Sequence, residues 1–206
     1  MSKEKTRFAF YTLSHPIDGF YDIRHFGKGS LALAMLFLFL GSVSYSLNRQ
    51  YASFIVNDAN PLTLNSLIDL LSIFSIFFLF CIGNWSITTL MEGEGRFSDI
   101  VVSTAYAIMP VILIFLPATL FSHFIAADEE AFYYMMIGLA VGWMLLLLFL
   151  GNMTVHNYSF SKALATIVLT IIAMLIILFL LMLLFSLMQQ IYSFFSSLYT
   201  EIIFRR

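Results

Sequence analysis

The chain has 206 residues, 61% of them apolar and 11% charged, with 23 Phe and a mean hydropathy of +0.93. A water-soluble domain carries about 25% charged and about 45–50% apolar residues, so this composition excludes a soluble globule and points to an all-α polytopic membrane protein. The net charge of −2, with Lys and Arg dispersed, leaves no basic footprint for nucleic acid. The single cysteine, Cys81, lies in an apolar run, where it founds neither a disulfide nor a redox or metal framework.

Residues 1–29 form a charged amino-terminal segment. Lys3, Lys5 and Arg7 are followed by acidic, Pro and Gly residues before the first apolar run, an order that disfavours a cleavable signal peptide. Ser14-His15-Pro16 reads as a helix cap with a first-turn proline. Ile17, Phe20 and Tyr21 then share one face, with Asp18, Asp22 and His25 elsewhere, which predicts an interfacial helix.

An isolated charge at the bilayer centre costs about 2.5–3.5 kcal/mol on insertion scales, so gaps between charges mark the spans. Five gaps suffice, at about 30–48, 63–91, 100–125, 132–153 and 163–187. Each has at least ~17 residues, enough for a hydrocarbon core of about 30 Å. Asn57, Asp58, Asn60 and Pro61 form a turn before the second span, with Thr63 or Asn65 at its start. Glu92-Gly93-Glu94-Gly95-Arg96 turns the second span into the third, Asp128-Glu129-Glu130 the third into the fourth, and Asn152 to Lys162 the fourth into the fifth. In the tail, 188–206, Ile191, Phe194, Phe195, Leu198 and Ile202 recur at helical spacing against Ser193, Ser197, Thr200 and Glu201. That pattern predicts a second interfacial helix, with simple continuation of the fifth span as the alternative.

With the amino terminus inside, Lys3, Lys5, Arg7, Arg24, Lys28, Arg96 and Lys162 are cytoplasmic, against Arg49, Arg205 and Arg206 outside. The positive-inside rule therefore favours amino terminus in and carboxyl terminus out.

The second and fourth spans end alike, Gly83-Asn84-Trp85-Ser86 and Gly151-Asn152-Met153-Thr154. The spans that follow also open alike, Phe97-Ser98-Asp99 and Phe160-Ser161-Lys162. A duplicated helical hairpin, with the copies packed about a pseudo-twofold axis near the membrane normal and the first span outside, would produce this echo.

Together with the echo, the segment His15-Pro16-Ile17-Asp18-Gly19-Phe20-Tyr21-Asp22-Ile23, the Asn84-Trp85 pair and its Glu-Gly-Glu-Gly-Arg-Phe-Ser-Asp turn, Tyr106-Ala107-Ile108-Met109-Pro110, and His156-Asn157-Tyr158-Ser159 resemble the bacterial branch of the Yip (Ypt/Rab-interacting protein) family. The resemblance covers about His15 to Leu187 and agrees with five spans. It implies a non-enzymatic membrane protein; in Gram-positive bacteria similar proteins are often encoded beside carbohydrate importers of the ATP-binding-cassette class. Eukaryotic relatives bind prenylated small GTPases through a longer amino-terminal region. Here that region is about 29 residues and lacks an Asp-Leu-Tyr-Gly-Pro type motif, so GTPase binding is not carried over.

Asp69 is an intramembrane carboxylate sharing a helical face with Asn65 and Ser72. It is either a proton or cation site or a structural group near Arg49. Asn84, Thr88, Glu92, Glu94, Arg96, Asn152, His156 and Lys162 converge at one end if the hairpins pack together, with Asn84 and Asn152 placed for interhelical hydrogen bonds. Glu92-Gly93-Glu94-Gly95 is no phosphate loop, because no Lys-Ser or Lys-Thr follows, and two carboxylates make a weak cation site. His15, His25, His123 and His156 lack metal-ligand spacing, and neither a Gly-x-Ser-x-Gly elbow nor a His-Glu-x-x-His motif occurs. No catalytic set, cofactor or metal is expected. Pro110 and Pro117 should kink the third span, while Gly138 and Gly142 offer a close helix approach within the chain or with a partner.

The leading expectation is an accessory or scaffold protein in a bacterial plasma membrane. Its partners would be the bilayer and another integral membrane protein, such as an ATP-binding-cassette transporter, or a second copy. A small solute or ion conductor using Asp69 and the proline-bearing helix is the alternative. A lipid-acting enzyme, which needs Glu92, His156 and Lys162 around one groove, is the third.

Overall fold

The structure is a computed structural model that describes residues 3–57, 60 and 64–204. Asp58, Pro61, Leu62, Thr63, Arg205 and Arg206, which entered the expected turn, cap and charge count, lie outside the described residues. The order is α1 (Lys3–Ser14), α2 (Pro16–Phe26), α3 (Leu31–Tyr51), α4 (Ser66–Leu90), α5 (Phe97–Ala107), α6 (Met109–Phe121), a 3-10 turn (Ala127–Glu129), α7 (Glu130–Val155) and α8 (Phe160–Phe204). Five segments are long and apolar enough to cross a membrane: α3, α4, α5 with α6, the 3-10 turn with α7, and α8. One end of the bundle, here the amino end, carries α1, α2 and the α4–α5 and α7–α8 turns; the far end carries the other two connections.

The third span is the centre of the bundle. It has 67% of its most apolar window buried, against 6% for α8, and it packs on α3, α4 and α7. Its helix is broken at Ile108. Pro110 has no N–H to give the carbonyl four residues back, and the chain tightens there: the Ile108 N–H reaches the Ala105 carbonyl at 3.2 Å and the Val111 N–H reaches the Ile108 carbonyl at 3.0 Å. Pro117 lies inside α6 without ending it.

The remaining contacts follow the echo. α4 packs on α8 as α5 and α6 pack on α7, the two pairings that exchanging the hairpins would interconvert, and α3 packs mainly on the first hairpin, meeting the second where the Tyr133 hydroxyl donates to Asn48. Phe97 meets Trp85 edge-on (5.9 Å between ring centroids) and Phe160 meets Phe149 likewise (5.1 Å), so each turn closes with an equivalent phenylalanine.

At the amino end, α1 is a helix the sequence reading did not anticipate. It pairs with α2, its Thr12 lying where a side chain on Gly19 would fall, and it buries Ala9 and Thr12. α2 begins at Pro16 as expected, but its cap is His15, and the Ser14 hydroxyl turns back to the Tyr11 carbonyl. Nor does α2 simply lie along the surface. Gly19, Phe20 and Ile23 are buried, Phe20 under Gly151 of α7, while Ile17 and Tyr21 stay exposed, so Phe20 does not share their environment.

The tail differs most from expectation. Among the described residues of the tail, 188–204, no separate helix forms; α8 runs unbroken to Phe204, because nothing between Phe160 and Phe204 is Pro or Gly and the apolar-polar pattern of the tail is already helical. Only Ala163, Thr166 and Thr170 of α8 are buried.

Candidate functional site

Intramembrane polar groups are costly unless they bond to one another, so their positions locate the site. They gather at the two ends of the bundle. At the amino end, the Asn84 amide donates to the Asn152 side-chain oxygen (3.0 Å) and to the Thr170 hydroxyl (3.3 Å). The Thr170 hydroxyl itself donates to the Thr166 carbonyl (2.8 Å) and the Thr166 hydroxyl to the Lys162 carbonyl (2.7 Å). The two asparagines are thus the meeting point of α4, α7 and α8. Of the preceding glycines, Gly83 faces this junction, where a side chain would meet Met174 and the Thr170 carbonyl, whereas one on Gly151 would meet the Phe20 ring of α2.

Next to them the Glu92–Arg96 turn wraps His156. The Gly95 N–H donates to His156 Nδ1 (3.2 Å), and the Tyr158 hydroxyl is shared between the Thr88 and Met91 carbonyls (3.3 Å each). A Cβ on Gly93 would sit 2.6 Å from both His156 Nδ1 and the Tyr158 hydroxyl, and one on Gly95 2.7 Å from His156 Cε1. These glycines serve space and not backbone angle. The left-handed residues are Glu92 (φ 56) and Asn157 (φ 54), each following the last turn of its helix. The Gly93 N–H reaches back to the Thr88 carbonyl (2.7 Å) and the Tyr158 N–H to the Met153 carbonyl (2.9 Å), so both hairpins open with the same Schellman closure.

His156 is almost fully buried, and with Nδ1 accepting it is neutral with its proton on Nε2. Burial above all, and Arg24 next, pushes it down to about 4, with Asp99 pulling the other way. Burial pushes the Tyr158 phenol up, and Glu92 adds to this. Arg24 pairs with Asp99 at 3.4 Å, and the Asp99 carboxylate also accepts the Arg96 N–H (3.1 Å), tying α2 to the start of α5.

Of the residues expected to converge here, Asn84, Thr88, Asn152 and His156 are buried together. Glu92, Glu94 and Arg96 are exposed on the turn, Glu94 accepting from Asn157 at 3.5 Å. Lys162 lies over the Tyr158 ring, 4.6 Å from its centroid. Among the described residues no three His, Cys, Asp or Glu side chains gather to hold a metal ion.

Asp69 belongs to the far end. Its carboxylate is buried and paired with Arg49 at 2.6 Å, with the Ser46 hydroxyl on its second oxygen at 3.4 Å. Asn65 caps this helix, accepting from the Leu67 and Ile68 N–H groups. Close by, Asn48 links the Thr119 hydroxyl (2.8 Å) and the Tyr133 hydroxyl (3.0 Å), which joins α3, α6 and α7. Among the described residues nothing packs on Gly138 and Gly142: a Cβ on either meets nothing within 4 Å, and the shallow groove they floor is walled by Met135, Leu139, Trp143 and Leu146.

The sequence reading missed Thr166, Thr170 and Tyr158. Two threonines four residues apart in an otherwise apolar run mark one helical face, a signal that was available. The tyrosine had none, since its partners are carbonyls of another turn.

Fold and polar groups together define an integral membrane protein of the α-helical, multi-pass class, in which Asn84, Asn152, Asn48 and Asp69 bond one helix to another. The chain belongs to the Yip1 domain family, which matches residues 10–199. No curated protein and no solved structure matches it.

Proposed function

We propose that the protein is a non-enzymatic accessory or scaffold subunit of another membrane complex, a nutrient importer such as an ATP-binding-cassette carbohydrate transporter being the leading partner. It would reside in a bacterial plasma membrane, amino terminus cytoplasmic and carboxyl terminus outside. The observation that carries this reading is the open Gly138/Gly142 face of α7. Small residues let helices approach closely in a bilayer, where apolar area alone gives no drive to associate, and this pair has nothing packed on it among the described residues. The family supports a structural reading, as do the hydrogen bonds by which the amino-end network joins helices.

The test is affinity purification from membranes in mild detergent, followed by mass spectrometry, comparing the wild type with Gly138→Leu/Gly142→Leu. A partner integral membrane protein retained by the wild type and lost from the variant supports the reading. Wild type that always purifies alone rejects it.

The conductor reading rests on Asp69 and the break before Pro110. Arg49 already neutralises Asp69, which weakens its case as a carrier of protons or cations. Liposome flux with wild type and Asp69→Asn separates the two readings.

A further inference from the structure

The hydrogen-bond directions around the asparagine pair leave one group over. Thr170 gives its only proton to the Thr166 carbonyl, so toward Asn84 it can only accept. Asn84 must therefore present its NH2 to Thr170, and the same NH2 donates to Asn152 Oδ1. Exchanging oxygen and nitrogen on either amide would set acceptor against acceptor or donor against donor. Asn152 is thereby fixed with Nδ2 on its far side, where it is buried and has no partner among the described residues.

Asn152 lines a small cavity with Asn84, Ser103, Thr104 and His156, all of them buried. The space open to the centre of a water molecule there is about 10 Å³, close to the ~10–15 Å³ one water needs. The chemistry selects the occupant. Asn152 Nδ2 and His156 Nε2 are donors, which disfavour a cation. The Ser103 hydroxyl already donates to the Ile100 carbonyl (3.1 Å), so its oxygen is left to accept.

We propose that this cavity is a binding site for one water molecule, which accepts from Asn152 Nδ2 and His156 Nε2 and donates to the hydroxyl oxygens of Ser103 and Thr104. Such a water joins α5 to α7 directly beside the Asn84–Asn152 bond, and connects them, through His156, to the Gly95 turn. It does not depend on which partner the protein serves.

Solid-state NMR of the full chain in liposomes, labelled with 15N-asparagine, tests this. The Asn152 side-chain signal is assigned by its loss in Asn152→Asp, and magnetisation transfer from water is followed. Transfer to Asn152 Nδ2 is expected within milliseconds, and at least tenfold slower in Leu148→Phe, which fills the cavity from its wall. If that variant does not fold, Ser103→Val, which removes an acceptor and adds bulk, serves in its place with the same expectation. Absence of transfer in the wild type, or transfer undiminished when the cavity is filled, overturns the proposal.

Discussion

Asn84 and Asn152 stand at equivalent places in the two helical hairpins, 68 residues apart, and bond to each other amide to amide at 3.0 Å. Residues related by a pseudo-twofold operation can touch only where they lie close to its axis. Under the duplicated-hairpin reading, this pair would lie close to the pseudo-twofold axis.

That bond should be energetically coupled. Asn84→Leu and Asn152→Leu should each destabilise by about 1–2 kcal/mol, since each strands a buried polar partner. The double variant should cost less than the sum of the singles. Reversible unfolding in mixed micelles, analysed as a double-mutant cycle, measures the coupling.

Acidification should destabilise the fold through His156. Its folded value, about 4, lies below the ordinary 6.5, so the unfolded chain binds more protons between those values. The contribution of His156 is fully present above about pH 6.5 and is lost as the pH falls toward 4, by about 1.4 kcal/mol per unit within that window. Thermal unfolding from pH 7 to 4.5 should show this slope in the wild type and a flatter one in His156→Gln.

The Glu92 turn permits a stabilising change. A non-glycine residue at φ 56 carries about 1 kcal/mol of backbone strain, so Glu92→Gly should raise the melting temperature. Gly93→Ala, two residues from another glycine and at ordinary φ, should lower it, because its Cβ would fall on His156 and Tyr158. A thermal shift assay on both variants checks the opposite signs.

Arg49 and Asp69 should be unequal partners. Removing the half-exposed guanidinium in Arg49→Gln leaves a buried carboxylate uncompensated and should cost about 1–3 kcal/mol. Asp69→Asn leaves only an exposed cation and should cost less, with expression intact. Chemical unfolding of the two variants decides the order.

At the open face of α7, Gly138→Leu and Gly142→Leu should leave the melting temperature of the isolated chain unchanged, because none of the described residues lies where the new side chains would begin. Unfolding curves in detergent, set beside the partner recovery described above, separate loss of binding from loss of fold.

How far this was legible in the sequence follows from what each signal depends on. Scarce charges in an apolar chain report the span count, since each has to lie at an end or be bonded. The Gly-Asn echo located Asn84 and Asn152, because an identical dipeptide at matching helix ends put the two amides at one level, although Gly83 faces Met174 and Gly151 faces Phe20. Gly93 and Gly95 read as turn residues by convention, yet the left-handed positions went to Glu92 and Asn157; the need for glycine came from His156, some 60 residues on. α1 stayed hidden because Ala9 and Thr12 acquire a buried face only against α2. The tail carried an amphipathic pattern that an interfacial helix and an extended fifth helix share, and pattern alone does not mark where a helix bends.

α8 has 45 residues and is therefore about 68 Å long, more than twice the hydrocarbon thickness, so tilting alone does not contain it. It crosses α4 near Gly83 and Met174, and the 30 residues beyond that point form an arm of about 45 Å without a proline or glycine joint. Over that length, a 10° difference in the crossing angle would correspond to about 8 Å at the tip, so the packing of α8 on α4 near Gly83 sets where the end of the arm lies.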